Sequence, residues 1–444
     1  MKLIRISVIL AGVLFQAAAA QEEKAALTLP EAVEIAMKRY PDVEKARAAE
    51  DQLRGKIREV RAQAMPEVNL TSFATRLRDP SLLNASGLDN FPEELRKALV
   101  PVGVNLFDYG VSIKQPLYTA GKVGTALRLA KIEAEGSSVD VSRAEQDLSL
   151  SVVRAFYALL WAERNLEVVT GTLEQKKAHA EMARIRFKNG VATEVDALRS
   201  EVQVANSQAE VVQANNAVRQ ARALLNHYLL RPIDFPTKAL GEFIEKPPES
   251  TDVAALAMEA ERRRPELMRL RIAERSAEAQ VQLARAESRL KLDFTGGYGV
   301  TSRLPENLVN RDFVRWNVGV NMTLPVFDGF KRSGMVWQAT AYRRQARLER
   351  EKVAQRVRLD LRQALDDLAA AKETVIAARA NVQQAEKVLS MMQNNYKYGA
   401  ATTLDIVDAQ TALAVARSNL LRGLHDHSVA RATMRHAMGL TPWE

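Results

Sequence analysis

Asp405 and Asp408 stand three residues apart, and they are the sharpest chemical signal in the chain. On a helix that spacing puts both on one face, where they present paired negative charge. Like charges so close resist ionising together and gather counter-cations, an arrangement useful for ion selectivity and costly for stability. Asp196 lies 209 residues before Asp405, and Arg199 lies 209 before Asp408. No nucleophile is accompanied by a base and an orienting group. The chain has no cysteine, which excludes disulfides and thiolate chemistry. His425 and His427, two apart, point to different helix faces and make a poor metal pair. Neither Gly296-Gly297-Tyr298-Gly299 nor Ala120-Gly121-Lys122 has the spacing of a phosphate-binding loop. The chain reads as a non-enzyme without a cofactor.

The carboxylates belong to a stretch that occurs twice. Tyr396-Lys397-Tyr398-Gly399-Ala400-Ala401-Thr402-Thr403-Leu404-Asp405 lies in register with Phe187-Lys188-Asn189-Gly190-Val191-Ala192-Thr193-Glu194-Val195-Asp196. Each copy predicts a tight turn between two helices, with tips at about 188–193 and 397–402. Gly190 and Gly399 suit the left-handed position after a helix end. Thr193 and Thr402 suit the N-cap of the next helix, completed by Asp196 and Asp405 as capping boxes. That role alone accounts for Asp196 and Asp405. It does not account for Asp408.

The helices entering the turns share the duplication. Leu361, Leu368, Val375, Val382, Leu389 and Tyr396 repeat every seven residues. The first copy carries Val152, Leu159, Leu166, Leu173, Ala180 and Phe187, with interleaved alanines broken by Lys176. Heptads sustained this long predict helices supercoiled against neighbours. The helix from about Gly121 to Phe187 spans roughly 67 residues, about 100 Å. In the last helix Leu404, Val407, Ala414 and Leu421 form one apolar stripe, and Leu413, Ala416, Leu420 and Leu424 a second.

At the start, Lys2 and Arg5 precede the apolar run Val8 to Phe15, and Ala18-Ala19-Ala20 offers a cleavage site before Gln21. Residues 1–20 therefore read as a secretory signal peptide. Losing Lys2 and Arg5 lowers the net charge from +9 to +7, and Gln21 offers no thiol for an acyl chain. No later run is long and apolar enough for a spanning helix. Lys and Arg are interspersed with Asp and Glu along helices, a solvated surface rather than a nucleic-acid footprint.

Between the helices the period falls to two. Strands are predicted at about 66–76, 104–116, 290–301 and 313–325, the alternation being weakest in the first. Each run has the length and two-faced character of an outer-membrane strand. Strands return to helices at Pro116-Leu117-Tyr118-Thr119-Ala120-Gly121 and Pro325-Val326-Phe327-Asp328-Gly329, with Thr119 or Asp328 as the helix cap. Pro41 and Pro265 begin matching helices in the two halves, 21–230 and 252–444. Pro232, Pro236, Pro247 and Pro248 mark 231–251 as a helix-breaking connector between the two halves. A polar loop, 76–103, carries a short helix from Pro92 to Leu99.

Four amphipathic strands cannot close a barrel, and open edges are not tolerated in lipid. The chain must oligomerise, and three copies supply twelve strands. With the duplicated helix-strand-strand-helix plan, the proline strand exits and the Gly-x-x-Thr-x-x-Asp tips, the whole mature chain resembles the TolC family of outer-membrane efflux and secretion channels. The resemblance implies a largely helical homotrimer, its twelve-stranded β-barrel in outer-membrane lipid and its twelve-helix α-barrel in the periplasm. It implies a periplasmic adaptor (a membrane fusion protein) docking at the tips around Gly190, Thr193, Gly399 and Thr402. An inner-membrane transporter of RND, ABC or MFS type completes the system. It assigns Asp405 and Asp408 to acidic rings at the periplasmic constriction, Tyr396 to the gate and Asp196 to a tie that holds it shut. Where the best-known members carry an arginine before the turn's helix, this chain has Ala401, and Arg199 is the candidate substitute. A periplasmic coiled-coil adaptor or scaffold is the rival reading, and it leaves the four strands unexplained.

Overall fold

The computed structural model describes residues 24–77, 92–95, 104–247 and 252–443. The expected signal peptide and most of the 76–103 loop lie outside the described residues; of the loop's expected short helix, residues 93–95 are helical. In chain order the elements are β1 (Ala26–Leu27), α1 (Leu29–Arg39), α2 (Pro41–Ala62), β2 (Glu67–Leu77), β3 (Val104–Tyr118), α3 (Lys122–Lys188) and α4 (Glu194–Leu229). Then come β4 (Lys238–Ala239), α5 (Val253–Arg263), α6 (Pro265–Ala286), β5 (Lys291–Ser302), β6 (Val314–Thr323), α7 (Lys331–Lys397) and α8 (Thr403–Ala437). Two 3₁₀ turns, Pro305–Val309 and Arg311–Phe313, join β5 to β6. Helices α3 and α7 both have 67 residues, and α2 and α6 both have 22.

The chain divides into two compact units. One holds the described residues up to Arg47, Val139–Met268 and those from Glu351 onward. Its core packs Phe156, Leu159 and Leu160 of α3 against Val33 and Ala36 of α1 and Leu225 and Leu229 of α4. A second cluster joins Leu256 and Ala260 of α5 to Leu361 and Leu368 of α7 and to Met434 of α8. Each buried leucine contributes about 1.5–3 kcal/mol, so these seams outweigh any helix propensity. Lys176 sits inside its seam because its ammonium donates to Ser207 Oγ at 2.9 Å across the α3–α4 contact. The seven-residue series differ at their ends: Tyr396 is 6% exposed but Phe187 is 41% exposed. Leu404 is also exposed, although its stripe continues into the buried Val407.

The proline-rich linker is tied down at its start. β4 pairs in parallel with β1, Lys238 opposite Ala26 and Ala239 opposite Leu27. Buried Arg231 donates to the Lys24 carbonyl at 3.2 Å, and Asn226 Nδ2 donates to the carbonyls of Ile233 and Phe235, each at 2.9 Å.

The other unit, Ala48–Ser138 with Arg269–Arg350, contains an antiparallel sheet in the order β2-β3-β5-β6. Register and period two put Val68 and Leu70, Val111 and Ile113, Phe294 and Tyr298, and Trp316, Val318, Val320 and Met322 on one face. That face is bare: Leu70 is 77% and Trp316 73% exposed. The opposite face carries Asn69, Thr71, Ser112, Asp108, Thr295, Thr301, Arg315 and Asn317. The alternation of β2 looks weak in sequence because Phe73 and Leu77 fall on the polar face and Ser72 on the apolar one. Arg315 grips Asp108 with two bonds, Nη2 to Oδ1 at 2.7 Å and Nε to Oδ2 at 2.8 Å, and Thr301 also donates to that carboxylate. Gly110 and Gly299 face each other across β3 and β5, and a Cβ on either would meet the opposite backbone within 3 Å. β2 and β6 are the two free edges of the described sheet.

Candidate functional site

The hairpin tips are built by their own local chemistry. Gly190 (φ +77°) and Gly399 (φ +75°) end α3 and α7 in the left-handed region. The following amides reach back over the turn, Val191 to the Arg186 carbonyl at 2.9 Å and Ala400 to the Asn395 carbonyl at 2.8 Å. These bonds satisfy carbonyls that the helix ends would otherwise leave open. Thr193 and Thr402 then cap α4 and α8 as full capping boxes. Asp196 Oδ2 accepts from Thr193 N (3.3 Å) and Oγ1 (2.7 Å), and Asp405 Oδ2 accepts from the same atoms of Thr402, both at 2.7 Å.

That capping corrects one expectation from the paired carboxylates. The Thr402 backbone amide, then its hydroxyl, hold the Asp405 carboxyl below the usual carboxylate range, opposite to what like-charge crowding alone predicts. Asp405 and Asp408 lie together on the exposed side of α8, while Thr403, Ile406, Val407, Ala409 and Gln410 turn inward. Among the described residues no ion pair joins Arg199 to Asp408. Arg199 lines a groove of about 400 Å³ between α4 and α8 with Val195, Leu198, Val202, Leu404 and Val407.

The structure gives Tyr396 a partner that sequence reasoning missed. The Arg186 guanidinium lies 4.4 Å from the centre of the Tyr396 ring and donates to the Tyr396 carbonyl at 3.4 Å. His179 packs on the same ring, centroids 5.6 Å apart, and the Tyr396 and Thr403 hydroxyls are 3.4 Å apart. A cation over an aromatic face contributes about 0.5–1 kcal/mol at exposed sites and about 2 when desolvated. Nothing in its spacing separates Arg186 from Lys188, so no sequence signal points to it. His425 bonds Asp426 and buried His427 bonds the Ile244 carbonyl, both at 2.8–2.9 Å.

His179 supplies a pH prediction. It is buried, its Nε2 has no hydrogen-bond partner, and burial lowers its pKa below the ordinary value. The native state therefore holds the neutral ring, and the unfolded chain takes up the proton first, at pH ~6.5. The stabilisation is present above that pH and lost as acid protonates the unfolded chain. Thermal unfolding followed by circular dichroism should show a larger drop in midpoint between pH 7.5 and 5.5 for the natural chain than for His179→Phe. Equal drops would remove His179 from the acid response.

The strand exits also use left-handed backbone. Beyond Pro116 and Pro325, Ala120 (φ 51°) and Gly121 (φ 82°) turn into α3, and Gly329 (φ 62°) and Phe330 (φ 65°) turn into α7. Asp328 caps the second exit, accepting from Arg332 N at 3.1 Å, whereas Thr119 accepts from Lys122 N through its backbone carbonyl.

Residues 32–229 and 256–440 match the family model described as outer membrane efflux protein. The chain belongs to the outer membrane efflux protein family. TolC of Vibrio cholerae is 23% identical to it over 386 residues, covering 85% of this chain and 83% of that protein. The alkaline protease secretion protein AprF of Pseudomonas aeruginosa is 22% identical over 332 residues, 74% of this chain and 69% of AprF. The Campylobacter jejuni CmeC outer membrane channel superposes with a TM-score of 0.79 at 18% identity, covering 94% of this chain and 87% of that one. The family is one of outer-membrane channels rather than enzymes. As a member of that family, this chain is an efflux exit duct at the bacterial outer membrane.

Proposed function

We propose that three copies join their sheets edge to edge into a twelve-stranded barrel, apolar face to lipid and polar face to the lumen, continued by a periplasmic tube of twelve helices. The observation that carries this reading is the sheet: four strands, a bare apolar face and two free edges. A hydrogen-bonding edge cannot stand open in lipid, and four strands are too few to close alone. The ion pair of Asp108 and Arg315 on the polar face fits a water-filled lumen. The hairpin tips form the periplasmic end. There Asp405 and Asp408 ring the constriction, Tyr396 held by Arg186 forms part of the closed gate, and the turns at Gly190, Thr193, Gly399 and Thr402 receive a membrane fusion protein. An RND, ABC or MFS transporter in the inner membrane delivers small molecules or unfolded protein to the duct.

Detergent extraction of the outer-membrane fraction tests this. The expected species is a trimer that survives unboiled electrophoresis and gives discrete single-channel currents in planar bilayers. A monomer confined to the soluble periplasmic fraction would support the adaptor reading instead.

A further inference from the structure

The two halves meet within one chain through a contact whose counterpart is left open, and that counterpart identifies the residues of the seam between copies. Glu135 of α3 bonds Arg275 of α6 at 2.8 Å, and one heptad earlier Arg128 of α3 donates to Gln282 of α6 at 3.1 Å. Helix α7 begins at Lys331, 209 residues after α3 begins at Lys122. Helix α2 begins at Pro41, 224 residues before α6 begins at Pro265. Carried across those offsets, Glu135 becomes Arg344 and Arg275 becomes Asp51. Arg128 becomes Trp337 and Gln282 becomes Arg58. The ion pair thus reappears with its polarity reversed, and beside it stands a guanidinium opposite an indole, a pairing that attracts through the ring face.

All four residues are accessible. Trp337 is 80% exposed, and Asp51, Arg58 and Arg344 are exposed. Arg344 and Arg58 have no polar partner among the described residues, and Asp51 bonds its own-helix neighbour Arg54 at 3.3 Å. Helix α7 holds α6 through Arg343 to Glu278 (2.6 Å) and Arg350 to Glu274 (3.0 Å), and Trp337 and Arg344 line the groove beside that contact without bonding α6. The sheet permits the same joint. The pairing of Val111 with Tyr298 maps to Val320 of β6 opposite Ala74 of β2, which keeps both apolar faces on one side.

We propose that in the assembled protein Arg344 and Trp337 of α7 dock on Asp51 and Arg58 of α2 of the next copy, a second edition of the internal Glu135–Arg275 seam. This rests on the trimer reading, and the test separates the two. The chain has no cysteine. Asp51→Cys with Arg344→Cys, in the full-length protein in its membrane, should give covalent dimers and trimers with a short bismaleimide, and neither single variant should. Glu135→Cys with Arg275→Cys should link only within the chain and run as a monomer. Arg344→Asp should lower the temperature at which the trimer dissociates, and adding Asp51→Arg should restore it. A natural protein that is trimeric by native mass, yet gives no Asp51–Arg344 cross-link and no charge-swap rescue, would overturn the seam and leave the trimer standing. A monomeric natural protein would overturn the trimer reading itself.

Discussion

Gly299→Val should leave almost no folded channel in the outer membrane. A Cβ at Gly299 would lie 2.5 Å from the Tyr109 carbonyl oxygen and 2.8 Å from the Gly110 Cα. Both are backbone atoms of β3, so no side chain can swing aside, and the strands that join the two halves must separate. Ordinary overpacking of a core costs about 1–3 kcal/mol, where side chains and backbone share the strain. Here the strain falls on the ladder itself, so the cost should reach or exceed the top of that range. Gly319→Ala is the matched control in the same sheet: its nearest neighbour is Thr295 Oγ1 at 3.9 Å. Quantifying unboiled trimer in outer-membrane extracts checks both. Normal trimer from Gly299→Val would mean that the strands do not approach this closely.

The second large effect follows from the proposed constriction, where three copies present two exposed carboxylates each, Asp405 and Asp408. Asp405→Ala with Asp408→Ala should raise the concentration of a multivalent cation needed for half-block from the periplasmic side. The rise should be roughly tenfold or more, since a one-signed cleft concentrates counter-ions by about 10–10³. The single variants discriminate the roles. Asp405→Ala also removes the carboxylate half of the α8 capping box, whereas the Asp408 carboxylate has no hydrogen-bond partner among the described residues, so Asp408→Ala should weaken block without loosening the tip. Planar-bilayer recording reads the block, and the trimer's melting reads the cap. Unchanged block in the double variant would place these carboxylates away from the pore.

Much of the candidate site is legible in the amino-acid sequence, because its parts are local. A glycine at a helix end, a threonine at the next N-cap and an aspartate three residues on interact within one turn, and both tips form as that spacing dictates. The contact of Arg186 with Tyr396 is not legible there. Arg186 and Tyr396 are 210 residues apart, and no periodicity distinguishes Arg186 from the other cations of its turn. The repeat is even misleading here: it makes Phe187 and Tyr396 equivalent, yet only Tyr396 is buried under its neighbours.

Period seven, period two and the turn residues are properties of short stretches, so the sequence by itself determined the helical hairpins, the four strands and, in all but β2, the side on which each strand shows its apolar residues. Tertiary structure decided what crosses between elements. It set Gly110 opposite Gly299, closed Arg315 on Asp108 from 207 residues away and gave the seam lysine Lys176 its hydroxyl. Such contacts depend on the register of one strand or helix against another. A shift of a single residue changes every pair, and that choice is made by packing over the whole interface rather than by any one stretch of chain.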